Sequence, residues 1–216
     1  MLKLYTNYRS VSTHRVRIAL NYKGVPYEPV YVDSDAGEHL KMEYLWLNPQ
    51  GLVPALVVDQ DLIITQSFAI LEYLDERYPE RPLLPEDLRL RAKVRSFAQI
   101  AVADMNPLNI VRVFRYMRDQ MSVPYDARRQ WFEHWAHKGF AAMEWMLAQE
   151  SENDFAFGHT PTLADVCLVP QIHNGLATKL DLSDYPNLRR VYRSCLSLSS
   201  FQAAAPETQS DTVDKL

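Results

Sequence analysis

Apolar and polar residues alternate along "LKLYTN", residues 2–7, and that period of two predicts a strand. The spacing then becomes helical, and a helix is expected from about Thr13 to Lys23, stopped by Gly24 and Pro26. "YEPVYVD" reads as a second strand, and "AGEHLKMEYLWLN" as a short helix or irregular turn. Ala55 to Val58 form a third strand, and "DLIIT" a fourth, joined through the turn residues Asp59 to Asp61. The helix "SFAILEYLDERYP" follows and ends at Pro79. The order over the first eighty residues is β-α-β-α-β-β-α.

Beyond that point the pattern changes. "PERPLLPEDLR" is rich in proline and charge and reads as a linker. Every strong signal after it is helical. "DLRLRAKVRSFAQIAVADM" is a long helix, and Pro107 predicts a kink or break before "LNIVRVFRYMRDQ". A further helix places Trp131, Trp135, Phe140, Met143 and Leu147 near one face. "TLADVCLVPQIHNGLATKL" and "LRRVYRSCLSL" are two more, and "QSDTVDKL" is expected to fray. The fold class is thus α/β plus all-α: a domain over 1–80, a linker, and a helical domain over 87–208.

Composition narrows the function classes. A formal net charge of −4 argues against wholesale nucleic-acid binding. No apolar run approaches the roughly 20 residues that cross a bilayer, and "MLKLYTNY" does not resemble a signal peptide. Cys167 and Cys195 sit in periodic apolar contexts and are expected as buried thiols of a cytosolic protein. The six histidines have no metal spacing, so no metal is expected.

The candidate chemistry lies around "NYRSVSTHRVRIAL". A helix starting near Ser12 or Thr13 points its unpaired N–H groups at the preceding loop, and a hydroxyl from Ser10 or Ser12 adds a donor for a thiolate or carboxylate. Capping alone also accounts for Ser12 or Thr13, but less well for Ser10. Arg15 and Arg17 are two apart and do not share a face, so each is expected to be a solvated or paired surface charge. Arg9, in the loop, is the better candidate to grip a substrate carboxylate. Gln66 and Ser67 precede another helix and offer either a cap or a second anion site. Thr162 and Asp165 form a capping box and are read as structural.

The motifs "RSVSTHRVRIAL", "LNPQGLVPAL", "QSFAILEYL", "GHTPTLADVCLVPQ" and "YPNLRR" occur in the order seen in cytosolic glutathione transferases, and the chain resembles them over nearly its whole length. It is most similar to the zeta class, which includes maleylacetoacetate and maleylpyruvate isomerases. The resemblance implies an N-terminal thioredoxin-like domain that binds glutathione, a C-terminal helical bundle that shapes the second-substrate site, and a homodimer. It also implies a cytoplasmic enzyme of aromatic amino acid catabolism. Ser10 matches the serine that steadies the glutathione thiolate, while Ser12 stands where the family often has cysteine. Val53 and a cis Pro54 match the positions that meet the cysteinyl backbone, and Gln66 and Ser67 those that hold the γ-glutamyl carboxylate. His39 falls near the glycyl end, and Asn106 matches a further glutathione contact. Arg9 is retained, Arg112 sits one helical face along from a basic stretch seen in the bacterial isomerases, and the resemblance makes both candidates for binding the substrate.

One position departs from the pattern: Ala177 stands where zeta-class isomerases carry a substrate-binding arginine. Losing one charged contact costs about 1.5–3 kcal/mol, ten- to hundredfold. Two readings follow. One is a glutathione-dependent isomerase or transferase acting on small unsaturated or α-halo carboxylic acids. The other is a non-catalytic binding module, or a transferase with a different electrophile.

Overall fold

A computed structural model of the chain describes residues 1–150 and 152–212. These residues form two compact units. One is Met1–Leu83 together with the segment from Leu196 onward, and the other is Leu84–Cys195.

The first unit is built on a four-stranded mixed sheet of order β2-β1-β3-β4. Its strands are β1 (Leu2–Thr6), β2 (Tyr27–Tyr31), β3 (Ala55–Val57) and β4 (Ile63–Thr65). β1 runs parallel to β2 and antiparallel to β3, which is antiparallel to β4. The register aligns Tyr5 with Ala55 and Ala55 with Thr65. The end of β1, the start of β3 and the end of β4 therefore lie side by side.

Helix α1 (Val11–Lys23) begins two residues before the expected start, with Ser10 as its N-cap. It ends at Gly24, whose φ of 68° is the left-handed cap conformation that glycine takes at least cost. From Thr13 to Leu20 every residue of α1 is buried. That corrects the expectation for Arg15 and Arg17: both are fully buried, not solvated. They do point in different directions, but both sides of the helix are covered. Arg15 reaches Ser67 at the start of α3 (Ser67–Arg77), and Arg17 reaches Ala204 in the C-terminal segment.

A 3-10 turn (Glu38–Leu40) and the short α2 (Met42–Leu45) replace the ambiguous element after β2. Lys23 anchors the start of the linker, donating to the Asp75 carboxylate at 2.7 Å and to the carbonyls of Tyr78 and Arg81.

In the second unit, α4 (Leu88–Gln99) continues into a π-helical stretch (Ile100–Met105) and then α5 (Asn106–Leu108). The chain breaks after Leu108, just past Pro107, before α6 (Val111–Asp119). α7 (Tyr125–Ala148) buries Phe140, Met143 and Leu147 as expected, while Trp131 and Trp135 are half-buried. α8 (Leu163–Ala177) ends before Lys179, whose φ is 59°. Its capping box is present: the Asp165 carboxylate accepts from the Thr162 N–H and hydroxyl and from the Ala156 N–H. Burial pushes the Asp165 carboxyl above the ordinary range. Cys167 and Cys195 are buried.

α9 (Pro186–Leu196) leads into α10 (Ser199–Gln202), which packs on α1. The sequence placed residues up to 208 with the helical domain, whereas the segment from Leu196 clusters with the first unit, held by side chains of α1. The stretch expected to fray begins at Gln209, but Asp211 accepts from the Tyr8 N–H at 2.9 Å and Ser210 bonds to Tyr31. Residues 213–216 lie outside the described residues.

Candidate active site

Because of the sheet register, the β1–α1 loop, the Val53–Pro54 segment and Gln66–Ser67 all leave the same end of the sheet. The candidate groups are gathered at this end. A groove of about 720 Å³ beside Tyr22, Pro26 and Arg81 lies at the other end of α1.

Ser10 is both the cap and the candidate donor. Its hydroxyl oxygen accepts from the Thr13 N–H at 3.2 Å. The hydroxyl hydrogen is then available to donate outward. The first turn of α1 holds no acidic side chain, so the helix dipole at Ser10 is not offset there. Ser12 is half-buried on that same turn.

Ser67 repeats the arrangement. It is buried, and its hydroxyl oxygen accepts from the Arg15 guanidinium at 3.3 Å, leaving its hydrogen to donate. The α3 N-terminus has no side-chain cap and no acidic residue in its first turn. Gln66 sits before it at φ 69°, a left-handed conformation that a non-glycine residue holds only when its surroundings require it. Uncapped N–H groups, a hydroxyl and a buried guanidinium behind them suit a carboxylate.

The Val53–Pro54 peptide bond is cis. The residue before it is pinned: the Leu52 carbonyl accepts from the Tyr44 hydroxyl at 2.6 Å and from the Asn48 amide at 2.7 Å. Burial raises the Tyr44 phenol, so it stays a donor across the working pH range. His39 is half-buried in the 3-10 turn of the same unit.

Arg9 is exposed. It pairs with the Asp35 carboxylate at 3.3 Å and lies 5.1 Å from the centre of the Tyr8 ring. Exposed pairs of this kind contribute little to stability. Asn106 and Arg112 belong to the second unit, the first half-buried in α5 and the second exposed on α6. Ala177 is exposed at the last position of α8. Among the described residues no cluster of three or more His, Cys, Asp or Glu could hold a metal, and no helix is long and apolar enough to cross a membrane.

Four supporting residues escape a reading of loops and caps alone: Arg15, Arg17, Tyr44 and Asn48. Nothing local marks the two arginines as buried, because residues two apart on a helix lie on different faces whether or not both faces are covered.

The family described as "Glutathione S-transferase, N-terminal domain" matches residues 1–76. The chain is 43% identical to the maleylpyruvate isomerase of a Ralstonia species, over 98% of this chain and all of that protein. It superposes on the holo structure of a bacterial zeta-class maleylpyruvate isomerase with a TM-score of 0.93, at 43% identity over 97% of this chain and 99% of the other. The chain belongs to the zeta-class glutathione transferases. A maleylacetoacetate isomerase from Methylobacterium extorquens, solved with malonate and glutathione bound, superposes with a TM-score of 0.92 at 37% identity, covering 96% of this chain and 97% of the other. As a zeta-class transferase, the protein is a glutathione-dependent enzyme with a thioredoxin-like sheet domain and a helical domain. The non-catalytic reading is set aside.

The donor set fits glutathione. A thiolate needs a hydroxyl and a helix N-terminus, as at Ser10, and a carboxylate needs the uncapped α3 N-terminus, as at Ser67.

Proposed function

We propose that this transferase catalyses the cis–trans isomerisation of a small unsaturated dicarboxylic acid of the maleylpyruvate or maleylacetoacetate type. The observation that carries the reading is the convergence of Ser10, Val53 and Ser67 at one end of the sheet, each with its polar neighbours already arranged. Likeness to isomerases along the whole chain supports the substrate class.

When bound, glutathione supplies a thiolate that adds reversibly to a conjugated double bond. Ser10 donates a hydrogen bond to the sulfur and favours its ionised form, with Ser12 as the neighbouring hydroxyl. Free thiols ionise near about 8.5, and holding the site about two units lower stabilises the thiolate by about 2.7 kcal/mol. Val53 and Pro54 present main chain to the cysteinyl unit, Gln66 and Ser67 hold the γ-glutamyl carboxylate, and His39 and Asn106 complete the glutathione contacts. Arg9 and Arg112 orient the substrate's carboxylates, so that binding supplies the alignment of the reacting carbon. In this reading residues 1–80 bind glutathione and the helices from 87 onward shape the second-substrate site.

The enzyme is also proposed to be a cytoplasmic homodimer of aromatic amino acid catabolism. Leu40, Met42 and Trp46 are 60%, 60% and 80% exposed within seven residues, an apolar patch that a second subunit would cover.

Retention on immobilised glutathione tests the binding half of the proposal. Wild-type protein is expected to be retained at neutral pH, and Ser67→Ala to weaken binding by about tenfold or more, since one hydrogen bond to a charged group is lost. Equal retention of both proteins would remove Ser67 from the site.

A further inference from the structure

We propose that the C-terminal segment is a positioning strap for the thiolate loop, acting through Asp211 and Arg17. The proposal rests on the reading of Ser10 given above. The loop Asn7–Ser10 carries the candidate donor but belongs to no helix or strand. Its shape is held from two sides.

From α1, the Arg17 guanidinium donates to the carbonyls of Asn7 and Tyr8, both at 3.3 Å, and to the hydroxyls of Thr6 and Thr13. Its Nε donates to the Ala204 carbonyl at 3.0 Å. One buried side chain therefore joins the loop to a segment nearly two hundred residues away in sequence. From the C-terminal side, the Asp211 carboxylate accepts from the Tyr8 N–H at 2.9 Å. Both polar groups of the Tyr8 main chain are thus held, its carbonyl by Arg17 and its N–H by Asp211. Ser10 lies two residues on, and its own N–H donates to the Asn7 carbonyl that Arg17 also grips. Ser210 adds a 2.7 Å hydrogen bond to Tyr31 at the end of β2.

Arg17 is fully buried, and the Asp211 carboxylate is engaged by the Tyr8 main chain. They are positioning residues, and their effect should pass through the direction of the Ser10 hydroxyl. A donor that is misaimed stabilises the thiolate less, because hydrogen-bond strength falls steeply with angle. The thiol's protonation and kcat should therefore respond, and glutathione affinity much less.

The test uses full-length Asp211→Ala and Asp211→Asn. The ultraviolet thiolate absorbance of bound glutathione is titrated with pH, and kcat and KM for glutathione are measured. Amide hydrogen exchange is followed at Tyr8 to Ser10 in the absence of glutathione. For Asp211→Ala the thiol midpoint should rise by up to about one unit, about a tenfold smaller thiolate fraction below the midpoint. kcat should fall by about three- to tenfold with KM changed less than about twofold, and exchange of the loop amides should quicken. Asp211→Asn keeps an acceptor for the Tyr8 N–H and should recover most of each change.

Wild-type titration and loop exchange in Asp211→Ala would overturn the strap alone. Equal impairment of both variants would also overturn it, because asparagine preserves the hydrogen bond. Absence of thiolate absorbance in the wild-type complex would instead overturn the reading of Ser10, and the strap's function with it.

Discussion

Replacing Arg17 with alanine is expected to lower stability by about 3–5 kcal/mol, the joint cost of leaving buried carbonyls without a donor and of the cavity left behind. The side chain is fully buried, and burial lowers its pKa to about 10, so it remains charged at neutral pH. Its loss would leave the carbonyls of Tyr8 and Ala204 without the donor they have now, and would open a cavity the size of a long side chain. For a chain of this size, the midpoint of thermal unfolding should fall by about 10 °C or more. Arg17→Lys should recover only a minor part, because an ammonium cannot spread its donors over carbonyls on two sides as a planar guanidinium does. A midpoint within about 2 °C of wild type for Arg17→Ala would contradict the network described for α1.

Ser10 is expected to carry the largest effect on rate. Ser10→Ala removes a hydrogen bond to a developing anion and should lower kcat by about ten- to hundredfold, with little change in glutathione affinity. The same change also removes the N-cap of α1, at a cost of about 1 kcal/mol in stability. Ser10→Asp separates the two roles. It keeps an acceptor for the Thr13 N–H and places negative charge favourably at a helix N-terminus, so stability should hold. It also sets a carboxylate where a thiolate must form, so activity should fall further than in Ser10→Ala. An unchanged kcat in Ser10→Ala would shift the donor role to Ser12.

The alternation and helical spacing of the chain were enough to order the elements of the sheet domain, because each element has one buried face or a clear stop such as Gly24. The capping box at Thr162 and Asp165 was legible for the same local reason. Arg15 and Arg17 were not legible as buried groups. The rule that residues two apart lie on different faces holds, but it says nothing about whether a second face is covered. α3 covers one side of α1 and a segment from the far end of the chain the other. Asp211 was missed because a polar terminal stretch looks solvated until its partner, the Tyr8 N–H, is known. Ser10 was found for its chemistry but not for its cap, since the helix start was placed two residues late. Long-range hydrogen bonds thus supplied what local pattern could not.

Ala177 is an exposed residue at the end of α8, where no buried partner depends on it. The ion pair of Arg9 with Asp35 is likewise exposed, and exposed pairs contribute little.

Isomerase activity is tested by following maleylpyruvate and maleylacetoacetate by absorbance with purified enzyme, with and without glutathione. Isomerisation of at least one of them is expected, requiring glutathione and not consuming it. Turnover of neither substrate in the presence of glutathione would contradict the proposed activity.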